Sequence, residues 1–329
     1  MTHRIHLCAA TLVLALGAPS FVPPVYAADK PFTAKEIDGA VYDGGRLPSG
    51  QSTLTAKLQI LLDRAHVSPG VIDGWKGGMS ESAIHAFETR EGLPADGVMD
   101  AEVWRALGGP DAGNLTRDYR ITEEDTAGLN DPLPDDYAEL AKLERLGFVR
   151  VSERLAERFH MDEDFLLALN PEADFEAGET IAVADPGQPL DAAVSRIEIS
   201  KSARRLAAFD EAGKMVANYP VAVGSTQTPS PTGTHGVSAI ALNPTYSYNP
   251  DVNFQQGDNS EQLLLAPGAN GPVGLVWIDL DKPTYGIHGT SDPSKLFKEF
   301  SHGCVRMTNW DGSELAEAID MSSSVIFVE

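Results

Sequence analysis

Two short stretches, Tyr285-Gly286-Ile287-His288-Gly289 and Ser301-His302-Gly303-Cys304-Val305-Arg306, hold the residue types that covalent chemistry requires. A cysteine nucleophile needs a base or a cationic partner, because an ordinary thiol near pKa 8.5 is only a few per cent thiolate at neutral pH. His302 lies two residues before Cys304, Arg306 two after, and His288 sixteen before. If 302–306 is extended, the two-residue period of a strand puts His302, Cys304 and Arg306 on one face. Gly303 lets a carbonyl oxygen approach the N–H groups around Cys304, where one oxyanion donor is worth roughly 3 kcal/mol. Gly289 leaves the backbone beside His288 open to orient an imidazole. These residues alone do not choose between His288 and His302 as base. A zinc site from His235, His288, His302 and Cys304 is the alternative, without the close-paired spacing such sites use.

Other chemistries lack their signatures. No lysine has a serine three residues before it, no histidine is followed by glutamate, and G-x-S-x-G and P-loop patterns are missing. Nothing calls for a cofactor. The 329 residues carry 48 acidic against 25 basic side chains, a net −23, which argues against nucleic acid or anionic lipid as partner. Residues 282–306 run the other way, with four basic against two acidic side chains, a basic lip suited to carboxylate-ended substrates.

The opening residues read as an address. A basic start at Arg4, the apolar run Leu7–Ala18 and the small residues before Ala27 follow the order of a secretory signal peptide, with cleavage expected near Ala27. The apolar run is too short to span a bilayer, and no other stretch is long enough. Cleavage removes Cys8 and leaves Cys304 the sole thiol of an exported chain, in a compartment where cysteines usually pair.

The elements that position these residues follow from periodicity. Residues 28–50, rich in Gly and Pro, read as a linker. Leu54, Leu58, Leu61, Leu62 and Ala65 mark one face of a helix capped by Ser52 or Thr53. A second helix carries Ala83, Ile84 and Phe87, and a third Val103, Trp104 and Leu107; Asp73-Gly74 and Asp96-Gly97 turn the chain before them. Residues 110–147 form an acidic linker with one helix after Pro134, and 148–185 read strand, helix, helix, strand. Residues 121–180 hold 17 acidic and 5 basic side chains, a solvated face. From about 193 the texture is short strands and turns.

Three resemblances attach to these stretches. Residues 51–109, through Leu58-Gln59, Asp73-Gly74, Phe87, Gly92-Leu93, Asp96-Gly97 and Trp104, resemble the helical peptidoglycan-binding domain of bacterial wall enzymes. Residues 148–185, through Ser152-Glu153, Leu155, Phe159, Leu166–Leu169, Asn170-Pro171 and Gly178, resemble a LysM module, a binder of N-acetylglucosamine glycans, without its usual Gly-Asp opening. H-G-T followed by S-H-G-C-V-R-M, with Thr228-Pro229 and Pro231-Thr232-Gly233 upstream, resembles the L,D-transpeptidase (YkuD-like) catalytic domain over 193–329.

The last resemblance implies a multidomain α+β protein whose β-sandwich-type catalytic domain follows a three-helix wall-binding domain and a βααβ module. It implies Cys304 as nucleophile, His288 as base oriented by the Gly289 carbonyl, and His302 and Gly303 shaping the oxyanion environment. Arg306, Ser301 and Tyr285 would contact substrate. The expected partners are peptidoglycan stem peptides and glycan, in the periplasm or at the wall. Cys304 would attack a stem tetrapeptide, release D-Ala, and pass the acyl group to an amine in a 3→3 cross-link. A hydrolase or a protein-to-wall attaching enzyme of the same fold, and a non-catalytic wall binder, are the alternatives. Residues 243–270, with Tyr246, Tyr248 and Phe254, are expected to cover the site.

Overall fold

A computed structural model describes residues 32–329; the expected signal peptide lies outside the described residues. Helix α1 (Ala34–Asp38) starts at a capping box between Thr33 and Glu36. Helix α2 (Thr53–Arg64) is capped by Ser52, α3 (Gly78–Glu91) ends at left-handed Gly92, and α4 (Ala101–Ala106) is capped by Asp100. The Gln59 side chain donates to Asp73 Oδ1 at 2.7 Å and accepts from the Gly74 N–H at 2.7 Å, pinning the first Asp-Gly turn to α2. The expected linker is a correction. Ile37 and Leu47 are buried in the core, and the buried Lys57 ammonium donates to the Asp38 and Ala40 carbonyls at 2.7 and 2.9 Å.

Strand β1 (Thr116–Arg120), α5 (Glu123–Thr126), α6 (Tyr137–Leu140), α7 (Val151–Arg158), α8 (Glu163–Leu169) and β2 (Thr180–Ala184) come next. The expected strand near residue 148 is absent, because the Glu153 carboxylate accepts from the Val149 and Arg150 N–H groups and starts α7 there. The strand that pairs with β2, antiparallel with Thr116 opposite Ala184, comes instead from the expected linker. Its sequence, Thr-Arg-Asp-Tyr-Arg, is mostly exposed and carries no apolar alternation. The two helical regions are not separate beads. Leu58, Ile84 and Phe87 of the first share one core with Phe159, Phe165 and Val183 of the second.

The remaining strands are β3 (Val194–Ser200), β4 (Arg205–Phe209), β5 (Met215–Pro220), β6 (Gly233–Leu242), β7 (Tyr246–Tyr248), β8 (Leu263–Leu265), β9 (Val276–Leu280), β10 (Gly286–His288), β11 (Val305–Arg306) and β12 (Ile319–Val328). Eight of them join in the order β11-β10-β9-β6-β12-β3-β4-β5, while β7 and β8 pair apart. The expected sandwich is therefore one continuous hydrogen-bonded sheet. Register shifts in β4, β6 and β12 let it curl around Ile197, Leu206, Val276, Ile278 and Val325. Helix α9 (Asn309–Ala318) packs Leu315 into the same core.

A polar seam joins this sheet to the helical half. The buried Arg205 guanidinium donates to Asn218 Oδ1 at 2.6 Å and to the Ser68 carbonyl at 2.9 Å. The Ser68 hydroxyl donates to Asp311 at 2.9 Å, and His160 bonds Asp63 at 2.8 Å while stacking on Trp310. Buried polar groups need such partners, so each half completes the other.

Because the helical regions share a core, Phe159→Ala should cost about 3–5 kcal/mol of unfolding free energy. Amide exchange should then quicken in both 53–64 and 151–169. Faster exchange confined to 151–184 would mean two independent modules.

Candidate active site

Strand β10 lies between β9 and β11, with His288 opposite Trp277 on one side and Arg306 on the other. Ile287 and Val305 are register partners, fully buried on the core side. Strand alternation turns His288, Arg306 and, one step earlier, Cys304 to the opposite face. All three line a cleft of about 410 Å³, together with His302, Ser301 and Tyr285. The extended run expected over 302–306 is shorter: only Val305–Arg306 is strand, and Gly303 turns with φ +122°. His302 reaches the cleft from that turn and stacks on Phe254, ring centroids 4.4 Å apart.

The turn is held from beneath. The buried Ser301 hydroxyl donates to the Cys304 carbonyl and accepts from the Gly303 N–H at 3.1 Å. Ser301, expected to contact substrate, lines the cleft while its hydroxyl holds the turn that carries Cys304. Ser230 donates to the Gly303 carbonyl at 2.8 Å, and Thr228 to the Ser301 carbonyl at 3.2 Å. The trans peptide directs the Cys304 N–H away from Ser230. A Cβ at Gly303 would come within 3.0 Å of Tyr285 Cε1, in a conformation that favours glycine. Thr284, a β-branched residue at φ +74°, presents its carbonyl 3.6 Å from Cys304 Sγ.

The base geometry is explicit. His288 is buried, with Nδ1 2.7 Å from the Gly289 carbonyl. A carbonyl only accepts, so Nδ1 carries the proton and Nε2 is the free base. Burial first, then the Arg306 charge, pulls the His288 pKa down to about 4, against the Gly289 bond. Burial pushes the Cys304 thiol up, opposed by the Gly286 N–H and Arg306. Burial and Arg306 also lower His302. At neutral pH the cleft thus holds a thiol and a neutral imidazole. Of the basic lip, Arg306 lines the cleft and Lys282 lies over the Tyr285 ring, while Lys295 pairs with Asp292 at 2.7 Å and Lys298 lines a different cavity.

Sequence reasoning missed Asn309. Its Oδ1 accepts from the Leu275 N–H at 2.9 Å and is lodged so closely against Gly289 and Gly274 that a Cβ at either would overlap it. Its Nδ2 donates to both Glu157 oxygens, at 3.1 and 3.0 Å. Burial pushes Glu157 up to about 8. The only signal was an amide side chain two residues past Met307, too common to read. Trp277, stacked on His288 at 5.7 Å, and Tyr137, on the cleft wall, were missed as well. Of the expected cover, Tyr246 and Phe254 line the cleft and Tyr248 is buried below. His235 is held by Asp281 at 3.0 Å; among the described residues no group of three His, Cys, Asp or Glu is arranged to hold a metal ion.

Residues 195–327 match the family described as "L,D-transpeptidase catalytic domain", and residues 51–107 match "Putative peptidoglycan binding domain". "Putative L,D-transpeptidase YkuD" of Bacillus licheniformis is 32% identical over 176 residues, 53% of this chain and 90% of that protein. The chain belongs to the L,D-transpeptidase family. "Probable L,D-transpeptidase YbiS" of Escherichia coli is 24% identical over 209 residues, 60% of this chain and 68% of that one. The crystal structure of L,D-transpeptidase 3 from Mycobacterium tuberculosis overlaps 46% of this chain and 65% of its own, at 16% identity and a TM-score of 0.34.

Because burial pushes the Cys304 thiol up, its modification by iodoacetamide should be slow from pH 5 to 8. It should accelerate only above the ordinary thiol range, about pH 8.5. A fast, flat rate from pH 5 to 8, followed by mass spectrometry, would instead reveal a preformed thiolate–imidazolium pair. Gly289→Ala should displace Asn309 and the carbonyl that orients His288, lowering turnover by about 10²-fold or more. Wild-type turnover in that variant would remove the orienting role.

Proposed function

We propose that the protein is an exported L,D-transpeptidase that joins peptidoglycan stem peptides by 3→3 cross-links. The observation that carries this reading is the His288 Nδ1 bond to the Gly289 carbonyl, which frees Nε2 in the cleft that holds Cys304 and Arg306. Nε2 takes the Sγ proton as Sγ bonds to the carbonyl carbon of the third stem residue. The oxyanion meets the Cys304 N–H, since the Gly303 N–H is held by Ser301. The imidazolium then gives its proton to the D-Ala nitrogen as the C–N bond breaks, leaving a thioester on Cys304.

A side-chain amine on the third residue of a second stem attacks the thioester. His288 takes the proton lost by that amine and passes it to Sγ as the C–S bond breaks, restoring the thiol and the neutral imidazole. Arg306, the cationic group on the cleft wall, faces the stem carboxylate, with Tyr285 beside it. Gly303 and His302 shape the pocket around the oxyanion. The chemistry of this exchange uses no cofactor.

The helical regions hold the enzyme on the wall: 51–109 as the peptidoglycan-binding element, and 148–185 as a LysM-like glycan binder whose partner strand is β1. Among the described residues no helix is long and apolar enough to cross a membrane. The exported location rests on the signal-peptide pattern ending near Ala27.

Purified enzyme and tetrapeptide muropeptide, with products read by mass spectrometry, test this reading. Wild type should release D-Ala and form 3→3 dimers, and Cys304→Ala should fall below about one thousandth of that rate. His288→Ala should cost about 10²–10⁴-fold and His302→Ala markedly less. D-Ala release by Cys304→Ala at the wild-type rate would end the thiol mechanism, and tripeptide as sole product would make the enzyme a hydrolase.

A further inference from the structure

The cleft around Cys304 is not built by the catalytic domain alone. Tyr137 lines it, although this residue lies on the segment between the two helical wall-binding regions, more than fifty residues before the first strand of the large sheet. Its ring packs edge-on against Tyr246, Tyr248 and Phe254, with centroids 6.2, 5.2 and 6.1 Å away. Phe254 in turn stacks on His302. Tyr137, Tyr246, Phe254 and the imidazole form one connected wall of the cleft that holds Cys304, with Tyr248 buried behind them.

The segment that brings Tyr137 there is fastened at several points. Asp136 caps α6. The Tyr137 N–H donates to Gln256 Oε1 at 3.1 Å, Gln256 Nε2 donates to the Asp135 carbonyl at 2.8 Å, and Asn259 donates to Asp136 Oδ2 at 3.1 Å. Leu140 and Leu146 are buried with Tyr248 and Leu265 in a small core of their own. The Leu146 N–H donates to the Pro267 carbonyl at 2.8 Å, and the Asn270 N–H donates to the Leu146 carbonyl at 2.8 Å. Such a clasp holds an aromatic residue in place without the entropy of a free loop. Burial pushes the phenol up to about 12, so it stays neutral at any working pH and presents no charge to an incoming amine.

Resting on the transpeptidase reading above, we propose that Tyr137 is a specificity-determining residue, supplied from outside the catalytic domain, which covers the Cys304 thioester against water and so favours an amine as acyl acceptor. Water at roughly 55 M competes with a scarce amine for the thioester, so the choice depends on what the cleft admits. The aromatic wall lines the same cleft as Cys304 and Arg306, with Arg306 close enough to Tyr137 for its charge to oppose the effect of burial on the phenol. The wall-binding half thereby sets the outcome of the chemistry as well as its address.

The test counts dimer against tripeptide per D-Ala released, so that changes in acylation rate do not enter. With full-length enzyme and tetrapeptide muropeptide, Tyr137→Ala should lower the dimer-to-tripeptide ratio by about tenfold, and Tyr137→Phe should hold it within about twofold. Gln256→Ala, which releases the clasp and leaves the ring intact, should shift the ratio the same way by less. It decides the matter if Tyr137→Ala does not fold. An unchanged ratio in Tyr137→Ala, or in Gln256→Ala where it must stand alone, overturns the proposal. So does a Tyr137→Phe enzyme as hydrolytic as Tyr137→Ala. Failure of the underlying reading is visible separately: the wild type itself would then give no dimer.

Discussion

A buried imidazole that must stay neutral governs the architecture around Cys304. Its Nδ1 proton is given to the Gly289 carbonyl, and its pKa lies at about 4. Charging the ring in place therefore costs about 3 kcal/mol more than in water, at 1.36 kcal/mol per unit. That cost keeps the ring neutral, with Nε2 free to accept a proton. Much nearby structure follows from holding one ring in one orientation. Gly289 has no side chain because Asn309 occupies the space, and Gly286 has none because Trp277 does. Arg306 adds positive potential that lowers both histidines and the thiol together.

Cys304 depends on a second set of bonds. Ser301, Ser230 and Thr228 tie the 301–304 turn to the loop before β6, so that the left-handed Gly303 can place Cys304 at the end of β11. Behind this, the Glu157–Asn309 contact runs from the helical half of the molecule to the backbone next to the base. The shared helical core, the Arg205–Ser68–Asp311 seam and the clasp at Tyr137 give the same picture. The helical half and the catalytic sheet meet through the buried Arg205–Ser68–Asp311 groups, which neither half could leave unpaired, and through the part-buried clasp at Tyr137.

Much of this was legible in the chain, and what was not has physical reasons. Helices α2 and α3 announced themselves through apolar spacing and the Ser52 cap, because helix periodicity is local. Spacing grouped His302, Cys304 and Arg306 on one face, whereas the choice of His288 over His302 as base needed the resemblance. Strand β1 was hidden because one two-stranded ladder, exposed on one side, needs no apolar alternation. Residues 28–50 read as linker from their Gly and Pro content, yet Ile37 and Leu47 anchor the described part of that segment in the helical core. Tyr137 and Asn309 act through contacts 119 and 152 residues away in sequence, with Gln256 and Glu157, which no local pattern encodes. The single curled sheet, in place of two packed ones, depends on long-range pairing of β12 with both β3 and β6.

The central claim concerns one tautomer and one protonation state. Nitrogen-15 NMR of histidine-labelled enzyme, with His288 assigned through His288→Gln, measures both. The account predicts a neutral ring from pH 5 to 8, with the proton on Nδ1 and protonation only near pH 4. A His288 imidazolium at neutral pH, or a neutral ring carrying its proton on Nε2, would contradict it.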